Sequence, residues 1–169
     1  NLTFKYSNDI INFQLDGKYS LNKKKDNFFI KFEGNENNFE FYSLLDLDKN
    51  ILNLRDIQYY KKNNIPAKLE ILLSKSKKGF NLKEINFNEN QNYISAQNLN
   101  ISPDFKIQSV EEIDVNFVNK NEILNNFKIK KNSNKYNFIG NQIDGEQLVK
   151  RLLKSDKNNK IFKLFHNIN

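Results

Sequence analysis

The sequence predicts a mainly β protein, built as one long, curved antiparallel sheet with a short amphipathic helix near its C-terminus. Three observations predict this fold. Apolar and polar residues alternate in short runs along most of the chain, and the connections between runs are rich in Asn, Lys, Gly and Ser. The spacers are too short and too polar for the crossover helices that parallel strands require. One apolar and one wet face per strand is typical of an antiparallel meander.

The alternating runs number roughly a dozen. In chain order they are Leu2/Phe4/Tyr6, Ile11/Phe13/Leu15, Phe28/Ile30/Phe32, Phe39/Phe41, Leu52/Leu54, Ile65/Ala67/Leu69/Ile71/Leu73, Ile85/Phe87, Ile94/Ala96, Leu99/Ile101, Phe105/Ile107, Ile113/Val115/Phe117, Phe127/Ile129 and Tyr136/Phe138. The chain has only 5 Gly and 2 Pro to mark turns. Since Asn tolerates a left-handed backbone, we expect Asn to occupy many turn positions.

The C-terminal part breaks this pattern. Asp144 is predicted to cap a helix over 144–155, with Gln147 completing a capping-box pair three residues later. The predicted apolar face of this helix consists of Leu148, Val149, Leu152 and Leu153. A second helical piece is expected at 161–166.

The length of 169 residues fits a single unit, with a β-meander over 1–143 followed by the two helical pieces. Because the chain begins at Asn1 without an initiator Met, we interpret it as a segment excised from a longer protein. The chain has no Cys, so disulfides and thiolate metal sites are excluded.

The apolar faces of these strands have two possible arrangements. Two sheets can close on each other as a β-sandwich, or one sheet can stay open as a groove whose apolar surface binds an apolar ligand. Periodicity does not separate the two. The residues that we predict to face the groove, or the sandwich core, are Phe28, Ile30, Phe32, Phe39, Phe41, Leu69, Ile71, Leu73, Ile85, Phe87, Phe127, Ile129 and Phe138.

Catalytic patterns are lacking in the sequence. The single His166 has no evident partner, and no Gly-rich phosphate loop, nucleophile elbow or metal-ligand spacing is present. We therefore expect no enzyme activity, no cofactor and no metal. The net charge of +7 permits anionic partners. Tyr59-Tyr60-Lys61-Lys62 is the best candidate for a single-stranded nucleic-acid platform, a minor alternative, so nucleic acid is not an expected partner.

The segment from Tyr136 to Leu153 carries a family resemblance. Together with the preceding Asn126-Phe127-Lys128-Ile129, it resembles the AsmA-like superfamily of bacterial envelope proteins, and is most similar to the YhdP/TamB-type branch. In that branch a strand ending in Gly leads through an Asp and a small residue into a Leu-rich helix. The matching positions are Gly140, Asp144, Gly145, Leu148, Leu152 and Leu153.

The resemblance implies a function in lipid transport. It implies a taco-shaped β-groove that carries phospholipid, with its acyl chains in the groove, from the inner to the outer membrane. The parent protein would be a periplasmic protein of a Gram-negative bacterium, anchored in the inner membrane by a part not present here. A non-catalytic structural or protein-interaction domain of the cell envelope is the alternative, because exposed sheet edges suit strand addition.

Overall fold

The computed structural model describes residues 1–21, 23–133 and 135–145, and these residues are mainly β. A single 3₁₀ turn, Arg55–Ile57, is the helical element within these ranges. The strands are β1 (Leu2–Ser7), β2 (Ile10–Leu21), β3 (Lys24–Gly34), β4 (Phe39–Asp46), β5 (Leu52–Leu54), β6 (Tyr59–Lys61), β7 (Lys68–Ser76), β8 (Gly79–Glu89), β9 (Asn92–Ile101), β10 (Ile107–Ser109), β11 (Glu112–Val118), β12 (Leu124–Asn132) and β13 (Lys135–Gln142).

The main sheet has 11 strands in the order β1-β2-β3-β4-β7-β8-β9-β11-β12-β13, and β10 pairs with the end of β9. Every pairing is antiparallel. The order follows the chain because most strands are joined by tight connections. The sheet is not closed, so β1 and β13 form its two edges.

Asparagine occupies turn positions where the backbone is left-handed. Asn8 and Asp9 have φ values of 50° and 59°, as the two central residues of a tight β1–β2 hairpin require. Asn64 and Asn90, in two other turns, also have positive φ, at 57° and 52°, as does Asn98 inside β9, at 49°. Their short polar side chains tolerate this conformation better than most residues do.

Residues 47–67 interrupt the meander. This connection joins β4 to β7 and contains the separate two-stranded β5–β6 sheet. It packs against the main sheet through Tyr59, whose ring contacts Phe87 and Phe117 edge-on at centroid distances of 5.5 and 5.2 Å. The buried core therefore lies between the connection and one end of the sheet, and consists of Leu47, Tyr59, Ala67, Phe87, Val115 and Phe117.

The mainly β, antiparallel class predicted from the sequence is confirmed. The closed sandwich does not form over the described residues, because the sheet remains open. The predicted strand at Leu52/Leu54 exists, but it pairs outside the main sheet.

Asp144 and Gly145 are in coil. The rest of the predicted 144–155 helix and the 161–166 piece lie outside the described residues. No described helix has the length and apolar character needed to cross a membrane.

Candidate functional site: an apolar sheet face

The thirteen predicted groove residues all lie on one face of the main sheet, which we call the apolar face. Residues paired directly across an antiparallel ladder share a face, and every second residue along a strand returns to it. Following the pairs from strand to strand therefore assigns each side chain. The central row is Leu15, Ile30, Ser43, Ile71, Ile85, Ala96, Ile113, Ile129 and Phe138.

Two further rows flank this one on the same face. One consists of Gly17, Phe28, Leu45, Leu69, Phe87, Ile94, Val115, Phe127 and Gly140. The other consists of Phe4, Phe13, Phe32, Phe41, Leu73, Leu82 and Leu99. Phe39 lies in a fourth row, beside Lys75. The rows form an apolar strip that crosses the sheet from β1 to β13.

The register of the β7–β8 pair shifts between Leu72 and Leu73, because β8 has one extra residue, Lys83, at this point. Leu82 and Ile85 therefore both reach the apolar face, while Lys83 pairs with Glu40 on the other side. Without this extra residue, half of β8 would present its polar residues to the strip.

Most of the strip is half-buried. Part of the surface stays accessible in each of Phe28, Ile30, Phe32, Phe41, Ile71 and Leu73. The Phe32 ring stacks on the Phe13 ring at a centroid distance of 5.3 Å and lies tilted against the Phe39 ring at 5.1 Å. This arrangement leaves a broad aromatic surface in contact with solvent.

Phe87 differs from the other predicted groove residues. It is buried beneath Tyr59 and belongs to the packed core. Leu69 packs against the same core as a partly buried neighbour. The sequence could not show this, because alternation identifies the face of a side chain and not what lies above it.

A cleft of about 270 Å³ lies at the β9–β13 end of the strip. The turn residue Ile57 lines one part, and Ile143, just after β13, lines another. Its remaining lining is Ile94, Ile113, Val115, Phe117, Asn125, Phe127, Ile129, Phe138 and Asp144. Predominantly apolar walls with few polar groups are typical of sites for apolar ligands.

Asp144 fixes one end of this cleft. Its carboxylate accepts hydrogen bonds from the side-chain amides of Asn119 at 2.7 Å and Gln58 at 3.1 Å. Its backbone N–H donates to Oδ1 of Asn125 at 2.7 Å. Asp144 therefore connects residues up to 86 positions apart in the sequence. The helix that it is predicted to cap lies outside the described residues.

Gly140 is required by close packing. A Cβ at this position would lie 2.6 Å from Cβ of Phe127 and 2.7 Å from the carbonyl oxygen of Asn126. Gly140 therefore lets β13 approach β12 next to a bulge in their pairing. The strand continues past it to Gln142. Of the other motif positions, Gly145 is in coil, and Leu148, Leu152 and Leu153 lie outside the described residues.

The tyrosine-lysine stretch 59–62, considered above as a minor candidate for a stacking platform, is only partly exposed. Tyr59 and Lys61 are buried, with 1% and 0% of their surfaces exposed, and Tyr60 is the exposed aromatic residue of the stretch. The Lys61 ammonium donates hydrogen bonds to the backbone carbonyls of Asn50 and Lys62, both at 3.0 Å, and of Asp48 at 3.3 Å. Burial lowers the pKa of Lys61, and Asp48 and Asp26 partly oppose this effect.

The opposite face of the sheet is polar and carries ion pairs. Lys128 lies 2.7 Å from Asp114 and 3.0 Å from Glu112, and these two carboxylates raise its pKa. An apolar patch around Phe29 and Tyr42 interrupts it. Within the described ranges, no group of three or more acidic or histidine side chains is placed to hold a metal ion.

Sequence reasoning missed the buried polar groups beneath the 47–67 connection. Glu89 accepts a hydrogen bond from the Tyr59 hydroxyl, and Asp26 accepts one from the Asn50 amide at 2.6 Å. Both carboxylates lie at positions that look like ordinary polar strand residues in the sequence, so no local pattern marks them.

No protein-family model, no curated protein and no solved structure matches this chain.

Proposed function

We propose that this chain is a segment of a periplasmic AsmA-like, YhdP/TamB-type protein that carries phospholipid between the inner and outer membranes. In this proposal the open sheet curves into a taco-shaped groove, and acyl chains lie along its apolar face. The parent protein, anchored in the inner membrane of a Gram-negative bacterium, contributes to outer-membrane biogenesis. The chain itself is not an enzyme and needs no cofactor or metal.

The observation that carries this proposal is the continuity of the apolar strip. One row crosses nine strands from Leu15 to Phe138 with Ser43 as its single polar member, and most of its side chains remain partly accessible. An acyl chain needs such a strip and no specific partner, because each buried methylene contributes about 0.8 kcal/mol. An apolar surface of this extent is unfavourable in water unless a ligand or partner covers it.

Photocrosslinking at the β13 edge tests the proposal. Phe138 and Ile139 are adjacent and point to opposite faces, and their exposed fractions are 37% and 62%. A photoreactive phenylalanine analogue at Phe138, in the full-length protein in cells, is expected to capture lipid, whereas the same analogue at Ile139 is not. Because Ile139 is the more exposed position, weak labelling there cannot result from burial. Equal capture at both positions, or none at Phe138, would contradict lipid binding on the apolar face.

Substitution within β7 provides a functional test. Ile71→Asp places a carboxylate in the central row of the apolar face, while Lys68→Asp places one on the polar face of the same strand. We expect Ile71→Asp to abolish lipid transport by the parent protein and Lys68→Asp to leave it intact. Mass spectrometry of lipids that copurify with each variant measures the binding step directly.

The β1 edge favours protein interaction as a second candidate. Leu2, Phe4 and Tyr6 expose 67%, 62% and 61% of their surfaces, and β1 pairs with β2 alone. An added strand would extend both the hydrogen-bond ladder and the apolar rows. If protein interaction is the function, Phe4→Asp prevents complex formation and Ile71→Asp does not. If lipid transport is lost with Ile71→Asp but not with Phe4→Asp, the result favours lipid transport over protein interaction.

A further inference from the structure

A second pocket, separate from the apolar cleft, lies beside the 3₁₀ turn. Its volume is about 360 Å³, and it is lined by Asn53, Arg55, Gln58, Tyr60 and Lys120. It shares no lining residue with the cleft, although Ile57 of the cleft precedes Gln58 of the pocket in the chain. The lining of this pocket is therefore mainly polar and basic, in contrast to the apolar lining of the cleft.

The side chains that line this pocket favour a negatively charged ligand. Arg55 and Lys120 supply two cations, both exposed, and neither forms an ion pair with another side chain that the structure describes, a set that does not include the side chain of Asp56. Tyr60 adds a hydroxyl and Asn53 an amide. Among the described lining residues none is a carboxylate. A concave site whose described lining has two cations and no carboxylate favours a positive local potential.

The pocket is held together by main-chain and amide contacts. Gln58 has a left-handed backbone with φ of 55°, and its carbonyl accepts a hydrogen bond from the N–H of Lys120 at 2.9 Å. Its side-chain amide donates to Asp144 at 3.1 Å and accepts from Asn121 at 2.9 Å. The polar groups of Gln58 are therefore engaged in these contacts, which hold the turn at Lys120 and Asn121 against the 3₁₀ turn. On the other side, Asn53 and Tyr60 are paired across β5 and β6.

We propose that this pocket binds a phosphate group through Arg55 and Lys120. The guanidinium can bind two phosphate oxygens with parallel hydrogen bonds, while the ammonium acts as a compact charge beside it. A phospholipid headgroup and a soluble phosphate ester both present this group. The site does not depend on lipid transport along the apolar face, because the two surfaces have no residue in common.

Titration of the full chain with inorganic phosphate and with glycerol 3-phosphate tests for the site, with binding followed by NMR shifts of the 53–60 and 120 amides. The double variant Arg55→Gln/Lys120→Gln is expected to weaken binding about tenfold or more. The control, Lys5→Gln/Lys31→Gln, removes the same charge from two exposed lysines of the polar face. We expect it to bind as the wild type does. Equal weakening by both variants would overturn the site, because it would show a general charge effect.

Vesicle binding distinguishes the source of the phosphate. Phosphatidylcholine vesicles with and without phosphatidylglycerol are compared for the wild type and both double variants. Binding that needs phosphatidylglycerol and is lost only with Arg55→Gln/Lys120→Gln assigns the site to a headgroup; binding of the soluble esters alone assigns it to a free phosphate ester. If neither the esters nor the vesicles bind in an Arg55- and Lys120-dependent way, the proposal is wrong. Lipid capture at Phe138 is measured in the same variants, so failure of the phosphate site and failure of lipid transport give different results.

Discussion

The hydroxyl of Tyr59 donates a hydrogen bond to the carboxylate of Glu89, and both side chains are buried where the 47–67 connection covers the sheet. Asn92 donates to the same carboxylate oxygen at 3.3 Å. This contact joins a residue of the connection to a strand of the main sheet. It places an ionisable group inside the core.

Glu89 is expected to make stability depend on pH. Burial raises the pKa of Glu89 above its ordinary value of 4.5, an effect that the Asn92 hydrogen bond partly opposes. At pH values between the ordinary pKa of the unfolded chain and the raised pKa of the folded protein, the folded protein binds more protons than the unfolded chain. The free energy of unfolding therefore falls as pH rises through this window. Glu89→Gln keeps an acceptor for Tyr59 and removes the charge. We expect it to flatten the pH dependence, as measured by urea unfolding from pH 4 to 8; an unchanged slope would show that Glu89 is not the responsible group.

Tyr59 is expected to dominate the attachment of the connection. Its ring contacts Phe87 and Phe117 and is 1% exposed. Truncating a buried aromatic residue costs about 3–5 kcal/mol, so Tyr59→Ala should lower the free energy of unfolding by this amount. Tyr60→Ala, at the exposed next position, is the control and should cost well under half as much. Similar losses for the two variants would mean that the connection does not pack as described.

Lys61 is predicted to be structural despite its charge. Its ammonium donates to three backbone carbonyls within 3.0–3.3 Å. Lys61→Met leaves these carbonyls without their donor and should destabilise the protein by about 2–3 kcal/mol, measured by denaturant unfolding. Lys62→Met, at an exposed position, should change stability little. A neutral result for Lys61→Met would contradict the buried placement of the ammonium.

Gly140 is predicted to tolerate no side chain. Gly140→Ala puts a Cβ within 2.6–2.8 Å of Phe127 and Asn126, two of the three nearest atoms being backbone. We expect a loss of about 1–3 kcal/mol and faster hydrogen exchange in β13. Gly17→Ala provides the comparison, because its Cβ would meet the Phe28 ring at 3.3 Å, and this ring can move. Slow exchange retained throughout β13 in Gly140→Ala would disprove the close approach.

The sequence by itself predicted the class of fold and grouped the apolar residues within each strand. The period of two is a local property of an extended backbone, so Phe28, Ile30 and Phe32 could be assigned to one face of their strand without knowing its partners. The sequence also indicated that Asn occupies turn positions, as it does at Asn8 and Asn90, where φ is 50° and 52°.

The tertiary structure alone decided what covers each part of that face. Residues 47–67 fold onto one end and bury Phe87, Lys61 and Glu89, while the rest of the strip stays open. The contacts that build the cleft and the phosphate pocket join distant positions, as Gln58 and Asp144 do across 86 residues. Such contacts depend on how the sheet brings its strands together in space, and local alternation carries no information about that arrangement.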